Sequence, residues 1–385
     1  MKRWIAILLL VGLCICLASC GENNNAGQTG QTESTAQTEP TQPPAGEVRI
    51  LNNDPQLQAA WVSLATEYTE LTGTEVAVLF SEENAVPTLR SVSGESQLPE
   101  HCADLSETTA CAQLICRDLA LRDDTGKVCA VAADIEIFGL VYNSTLLARS
   151  SNTKADIGSF ADLTEIVYAI TDDAQNLGFS AFARVAPEES FALHLATLPD
   201  GVRNLVDLII NNATCDPITM GETTEDESLQ DFLDEKAVFF LATSRQQKVL
   251  DAIGSENIGV LPVYLGGENE ENQTLCVAAR SYWCIDESAP SQDVQATIDF
   301  LNFLIQPRAD GTVPVDDLGR MAPYRQAVHV CNMLEVVLRS DLNKGLEPVV
   351  CRYVSNVPAG IKDALIAYSQ NPSNDNWEAI TNLTE

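Results

Sequence analysis

Apolar and polar positions along this chain follow two different periods, and the switch from one to the other recurs. Val48-Arg49-Ile50-Leu51 reads as a first strand, and Asn52-Asn53-Asp54-Pro55 breaks it, with Asp54 placed to cap a helix and Pro55 at its first position. Trp61, Leu64, Ala65, Tyr68 and Leu71 then follow at helical spacing, Gly73 ends the helix, and Glu75 to Phe80 reads as a second strand. Strand, helix and strand in that order imply a parallel sheet. Further on, Ile135 to Tyr142 reads as a buried strand, and Ser159 to Asp162 opens a helix carrying Leu163, Ile166, Val167 and Ile170. Ala237 to Leu241 is a strand running into a helix from Ser244, Ile258 to Val263 is another strand, and Thr297 to Ile305 is an amphipathic helix. After the break at Gly311 to Pro314 the pattern is helical to the end. The fold class is α/β, without internal repeats.

The first residues follow neither period. Lys2 and Arg3 precede an apolar run from Trp4 to Leu17, the charged and hydrophobic regions of a secretory signal peptide over residues 1–19. Leu17-Ala18-Ser19-Cys20 resembles the lipobox of bacterial lipoproteins, which implies that Cys20 carries a lipid and anchors the mature chain to the outer face of the cell membrane. The competing reading, an uncleaved signal anchor, fits the shortness of the apolar run less well. Gly21 to Gly46 contains no Leu, Ile, Val, Met or aromatic residue, so residues 20–46 read as a lipidated cysteine and a disordered tether. As a flexible coil such a tether reaches roughly 28 Å.

Charge narrows the partners. There are 55 acidic against 22 basic residues in 385, a net charge of -33, so the chain repels polyphosphate and nucleic acid is excluded as a partner. The bland account of this charge is solubility at a crowded surface. The enzymatic signatures that would need a nucleophile elbow, a phosphate loop or a His-Glu-x-x-His zinc helix are missing from the sequence. The three histidines are dispersed and no Cys-x-x-Cys occurs, so neither a cofactor nor a metal site is expected. Of twelve cysteines, Cys14 and Cys16 leave with the signal and Cys20 takes the lipid, which leaves an odd number. Cys276 and Cys284 flank Val277 to Trp283 symmetrically about Arg280, so a hairpin turning there would set them opposite each other as a possible disulfide.

Several segments, taken in order, resemble the extracellular solute-binding proteins of ABC importers, family 1, the carbohydrate-binding group. Leu71-Thr72-Gly73-Thr74-Glu75-Val76 is similar to the family's junction of helix and strand. Ala133 to Leu147 resembles its hinge strand ending in Tyr-Asn-x-x-Leu-Leu. Ser159 to Leu163, Asp234 to Phe239, and Ala364 to Ser369 with Asn376-Trp377 resemble later segments, and Glu268 to Gln273 with Tyr282 to Ile285 resembles a stretch of clostridial lipoprotein members. The resemblance implies a two-lobed periplasmic-binding-protein-like fold of type II, each lobe a mainly parallel sheet flanked by helices. It places residues 47–134 with 262–310 in one lobe and 135–261 with 311–385 in the other. It implies a monomer that captures a small polar solute, a sugar or oligosaccharide, and delivers it to ABC permease subunits without chemistry of its own.

Carried over by position, Asn53 and Asp54 fall where the family's first strand-helix loop touches ligand, and Glu136 where a hinge-strand acid accepts hydroxyl hydrogens. Asp54 is equally suited to capping and Glu136 to a structural hinge role. Sugar binders of the group usually carry a stacking tryptophan after the strand at Ala237, whereas this chain has Ser244-Arg245, and Pro187-Glu188-Glu189 stands where an aromatic would follow proline. Arg245 then reads as a residue that holds a carboxylate or a uronic acid by a bidentate pair, that stacks by its guanidinium plane, or that is simply a solvated helix-start residue. Tyr282 and Trp283 are the remaining aromatic candidates for the cleft, while Trp61, Tyr68, Tyr142 and Phe239 fit core positions. Two further readings stay open: a surface interaction lipoprotein on the same scaffold that no longer captures solute, and a glycan-acting enzyme using Glu136 with Glu188 or Glu189.

Overall fold

The computed structural model describes residues 46–83, 85–186, 202–246, 257–267, 270–327, 333–354 and 358–384. The signal segment, Cys20, nearly all of the tether, Glu188, Glu189 and the helix expected to follow Ser244 lie outside the described residues.

The chain opens as its pattern dictates. Strand β1 (Val48–Leu51) ends at Asn52, and the Asp54 side chain accepts a hydrogen bond from the Gln56 N–H, with Pro55 beginning a single tight turn that leads into the helix Gln58–Thr72. Gly73 closes that helix at φ 77°, a conformation few other residues adopt without cost. The helix buries Trp61, Leu64, Ala65 and Tyr68 on β1 and its parallel partner β2 (Val76–Leu79). β3 (Leu89–Val92) lies on the other side of β1, again parallel.

Two long strands organise everything else. After the short β4 (Ala120–Arg122), β5 runs through Val128–Asn143, buried at every position. At about 3.3 Å per residue it is roughly 50 Å long. Its expected core, Ile135 to Tyr142, is only the second half; the first half, rich in alanine, has low intrinsic β preference and is fixed instead by burial on both faces. β6 (Ser180–Phe182), β7 (Ala237–Thr243) and β8 (Ile258–Leu261) follow, then the second long strand β9 (Gln273–Ile285), and finally β10 (Glu347–Cys351). Together they make one mixed sheet in the order β2-β1-β3-β9-β5-β7-β6, with β4 and β8 added to β5 and β10 to β9.

β5 and β9 pair antiparallel from Ala130 opposite Cys284 to Phe138 opposite Cys276, with register shifts on both sides of Asp134. Each strand changes neighbours along its length. The first half of β5 carries β4 and the second half carries β7 and β8; β9 pairs with β10 at its start and with β3 at its end. The apolar packing divides accordingly. One cluster gathers Val48, Ile50, Trp61, Val131, Trp283 and Phe300, takes in Val313, Val315 and Leu318, and extends along a face of β5 to Phe240 and Val260. The other gathers Phe138, Leu140, Leu163, Ile166, Val238 and Phe239 with Val263 to Leu265 and the C-terminal residues Ile361, Leu365 and Tyr368. Where β8 meets β5, Gly259 lies opposite Tyr142, and a Cβ there would overlap the phenol ring.

Two expectations are corrected. No hairpin turns at Arg280: β9 is continuous, so Cys276 and Cys284 lie eight positions apart along one strand, about 26 Å, and both are free thiols. The alternation of that strand resembled two short strands because Arg280 interrupts its apolar run. The C-terminal part is also not wholly helical. β10 sits on the edge of β9, and its register shifts between Glu347 and Val349, around Pro348, which has no N–H to give to a ladder. Among the described residues no helix is long and apolar enough to cross a membrane.

Candidate functional site

The register shifts beside Asp134 fall where the carboxyl end of β1, the middle of β5 and the middle of β9 come together, and a cleft of about 450 Å³ opens there. Loops at the carboxyl ends of parallel strands are favoured ligand positions because their backbone and first helical turns point outward. Here the loop is Asn52-Asn53-Asp54. Asn52 is 5% exposed, and its Oδ1 accepts from the Asp54 N–H at 3.1 Å, while its Nδ2 has no hydrogen-bond partner. Asp54 caps the following turn with one carboxylate oxygen and pairs with Arg320 through the other.

β5 supplies two acids at a spacing of two, which puts them on the same side of the strand. Asp134 meets the Arg280 guanidinium from β9 at 3.1 Å, and Glu136 meets Arg245 Nε at 2.7 Å. Both carboxylates lie beneath their partners: the side chains of Asp134 and Glu136 are 11% and 3% exposed, against 32% for Arg280 and 47% for Arg245. Burial pushes both carboxyls above the usual range in spite of the adjacent guanidiniums, and burial likewise lowers Arg245 in spite of Glu136. These pairs are under desolvation stress. Tyr353, just beyond β10, ties the two together: the Arg245 guanidinium sits 5.1 Å and that of Arg280 5.9 Å from its ring centroid.

The apolar wall is aromatic. Trp283 meets Trp61 edge to face at 6.0 Å and stacks on Tyr324 at 6.4 Å, and both tryptophans line the cleft while remaining almost wholly buried. They form a floor and not an exposed platform.

Of the residues named from the sequence, Asn53, Asp54 and Trp283 line this cleft. Glu136 and Arg245 stand beside it, joined to it through Tyr353. Tyr282 points the other way, packing with Val92, Ala130 and Cys284 on the opposite face of β9. Asn52, Arg90, Asp134, Arg280, Arg320 and Tyr353 were not singled out as ligand contacts. Two of them left a trace: Asp134 and Arg280 are charges inside otherwise apolar strands, which seldom happens without a partner. Arg320 and Tyr353 reach the cleft only through tertiary folding. A larger hollow of about 720 Å³ lies beside Cys111, Arg122 and Arg325. Among the described residues, none of those lining it carries a buried side-chain polar atom left without a partner, in contrast to the cleft at Asn52.

Neither a protein-family model nor a curated protein matches the sequence. Solved structures do match its architecture. The bacterial solute receptor AcbH, described as having an exclusive preference for β-D-galactopyranose, superposes with a TM-score of 0.63 at 10% identity, over 89% of this chain and 98% of its own. A family 1 extracellular solute-binding protein from Bifidobacterium longum subsp. infantis gives 0.62 at 12% identity, over 88% and 98%. The fold is that of the family 1 extracellular solute-binding proteins. The binding protein MsmE from Bacillus subtilis, in an open conformation, gives 0.59 at 15% identity over 88% and 96%. At these identities the likeness fixes the architecture, a mixed α/β sheet flanked by helices, and the side chains of the cleft are this chain's own.

Proposed function

We propose that this chain is an exported, lipid-anchored solute receptor that holds a sugar or oligosaccharide in the cleft at Asn52, Asp134 and Arg280 and passes it unaltered to an ABC permease. The single observation that carries the reading is the cleft itself: polar groups from three separate strands converge over an aromatic floor at the point where both long strands change neighbours. A binding site needs such convergent polar groups around apolar surface. What solved relatives of the same fold bind supports the carbohydrate class, and Lys2-Arg3, the apolar run and Cys20 support export and anchoring.

In this reading the hinge lies at the register shifts flanking Asp134. Residues 47–134 with about 279–327 form one half, and 135–278 with 333–384 the other. Relative to the division expected from the sequence, this reading moves Val263 to Leu265 to the second half, because they pack with Phe138 and Leu163, and Pro314 to Leu318 to the first, because they pack on the helices Gln58–Thr72 and Ser291–Ile305. Closure of the halves would remove water from the polar contacts and report occupancy to a membrane partner.

Catalysis is not part of the reading. Asp134 and Glu136 are each engaged by an arginine, so neither is an unencumbered acid or base. The test is a calorimetric titration of the full folded chain against a panel of neutral and acidic mono- and oligosaccharides, with recovery of the ligand. Binding of at least one sugar, recovered intact and weakened about tenfold in Asp134→Asn, supports the proposal. A panel that produces no heat, or a ligand recovered cleaved, overturns it.

A further inference from the structure

Among the residues that line the cleft, the buried hydrogen-bonding capacity left unused is of one kind; Glu136 Oε2, beside the cleft, faces Arg245 Nε at 2.7 Å. Three buried nitrogens of the lining residues have no acceptor: Asn52 Nδ2, Arg90 Nε and Arg280 Nε. All three are donors. The carboxylates of the wall are already occupied, Asp54 by Arg320 and the Gln56 N–H, and Asp134 by Arg280. A neutral sugar hydroxyl donates as well as accepts and would find few free acceptors; a carboxylate only accepts.

Charge points the same way. Acids outnumber bases 55 to 22 over the whole chain, yet three guanidiniums, those of Arg90, Arg280 and Arg320, line the cleft beside Asp54 and Asp134. Arg90 is paired with Glu82 and Asp286, which do not line it, so the cleft surface is richer in guanidinium than the layer behind it. Moreover the arrangement is layered: Asp134 and Glu136 lie beneath, while the guanidiniums of Arg280 and Arg245 remain a third to a half exposed against the ring of Tyr353. Seated in this way a guanidinium is held in orientation by the acid below and keeps part of its N–H fork for a ligand above. The aromatic faces that would stack on a neutral pyranose are used differently, Trp61 and Trp283 as buried floor and Tyr353 as a seat for arginine.

Resting on the proposal that the cleft captures a sugar, we infer that its preferred ligand is an acidic glycan, a uronate-containing oligosaccharide whose carboxylate lies over Arg280 within reach of Asn52. The remaining hydroxyls lie along Asn53 and the aromatic floor.

The experiment compares trimers of galacturonate, glucuronate, mannuronate and guluronate, each with its methyl ester, by calorimetric titration of the full folded chain. A neutral oligosaccharide panel runs alongside. The ester keeps the sugar and removes the charge. The expected result is that at least one free acid binds about tenfold more tightly than its ester, the size of one charge-assisted hydrogen bond. That advantage should shrink when salt is raised. Arg280→Gln should reduce that acid-to-ester ratio to about twofold, and Arg280→Lys should restore it in part. Because Arg280→Gln strands a buried acid and could disturb folding, the acid-to-ester ratio and its salt dependence in the unmodified chain decide independently. Esters or neutral sugars that bind as tightly as the acids, or tighter, overturn this inference and leave solute capture standing. Absence of binding by every sugar overturns both.

Discussion

Two buried acids in this protein meet arginine under different terms. Asp231, with its side chain 3% exposed, receives Arg184 through two nitrogens, together with Thr214 and Lys236. Burial opposes its ionisation, yet these donors outweigh it, and the carboxyl is held below the usual range. Among the described residues Asp134 meets one arginine nitrogen at 3.1 Å and the Met321 N–H, and Glu136 one arginine nitrogen at 2.7 Å and the Thr243 hydroxyl; both carboxyls are pushed up by burial. The first arrangement is a satisfied structural joint between β6 and the helix Glu225–Leu233. The second is left with ionisation that burial disfavours, at the edge of a cleft. The same residue types are therefore satisfied in one place and left under desolvation stress in another, and the number of donors meeting the carboxylate separates the two; in the proposed reading the second set orients arginines for a ligand.

The largest expected effect separates the two directly. Asp231→Ala removes four donor contacts from a buried site and should lower stability by about 3 kcal/mol in denaturant titration. The sugar affinity of the protein that remains folded should not change. Next comes Asp134→Asn, which should change stability by no more than about 1 kcal/mol, because relief of desolvation offsets the lost ion pair. Ligand affinity should nevertheless fall about tenfold in calorimetry, because Arg280 loses the group that orients it. Equal loss of stability in the two variants would erase the distinction.

A smaller effect lies in pH, where the two regions carry opposite signs. The contribution of Asp231, whose carboxyl is lowered, is present above about pH 4 and lost as pH falls through its native value. The contributions of Asp134 and Glu136, whose carboxyls are raised, are present below about pH 4 and lost as pH rises through their native values. A double variant, Asp134→Asn with Glu136→Gln, should therefore gain stability relative to the parent as pH is raised from about 4 to 7. Chemical melts at both pH values check the sign. The smallest effect is Tyr282→Phe, on the far face of β9, which should leave ligand affinity unchanged within about twofold.

Much of the fold was legible where local rules and burial agree. Asp54, Pro55 and Gly73 bracket the first helix as their chemistry requires, and the helix Phe160–Asp172 opens at Ser159, whose side chain accepts from the Asp162 N–H. Legibility failed where tertiary structure overrides local preference. The alanines of β5 become strand because both faces are covered, Pro348 conceals an edge strand, and Arg280 resembles a turn because a charge inside a buried strand is intelligible only with Asp134 beside it. The cleft divides in the same way. Asn53 and Asp54 belong to a loop that the βα junction announces, whereas Arg320 and Tyr353 arrive from distant sequence, and no local pattern marks them.

The central claim is that the cleft at the junction of β1, β5 and β9 receives the solute. Hydrogen exchange of the full folded chain, with and without a sugar that binds in calorimetry, tests this most directly. The account predicts added protection in three separate segments at once: around Asn52 to Asp54, around Ala133 and Asp134, and around Arg280 and Ser281. Protection confined to the hollow beside Cys111 and Arg122, with those three segments exchanging as before, would contradict it.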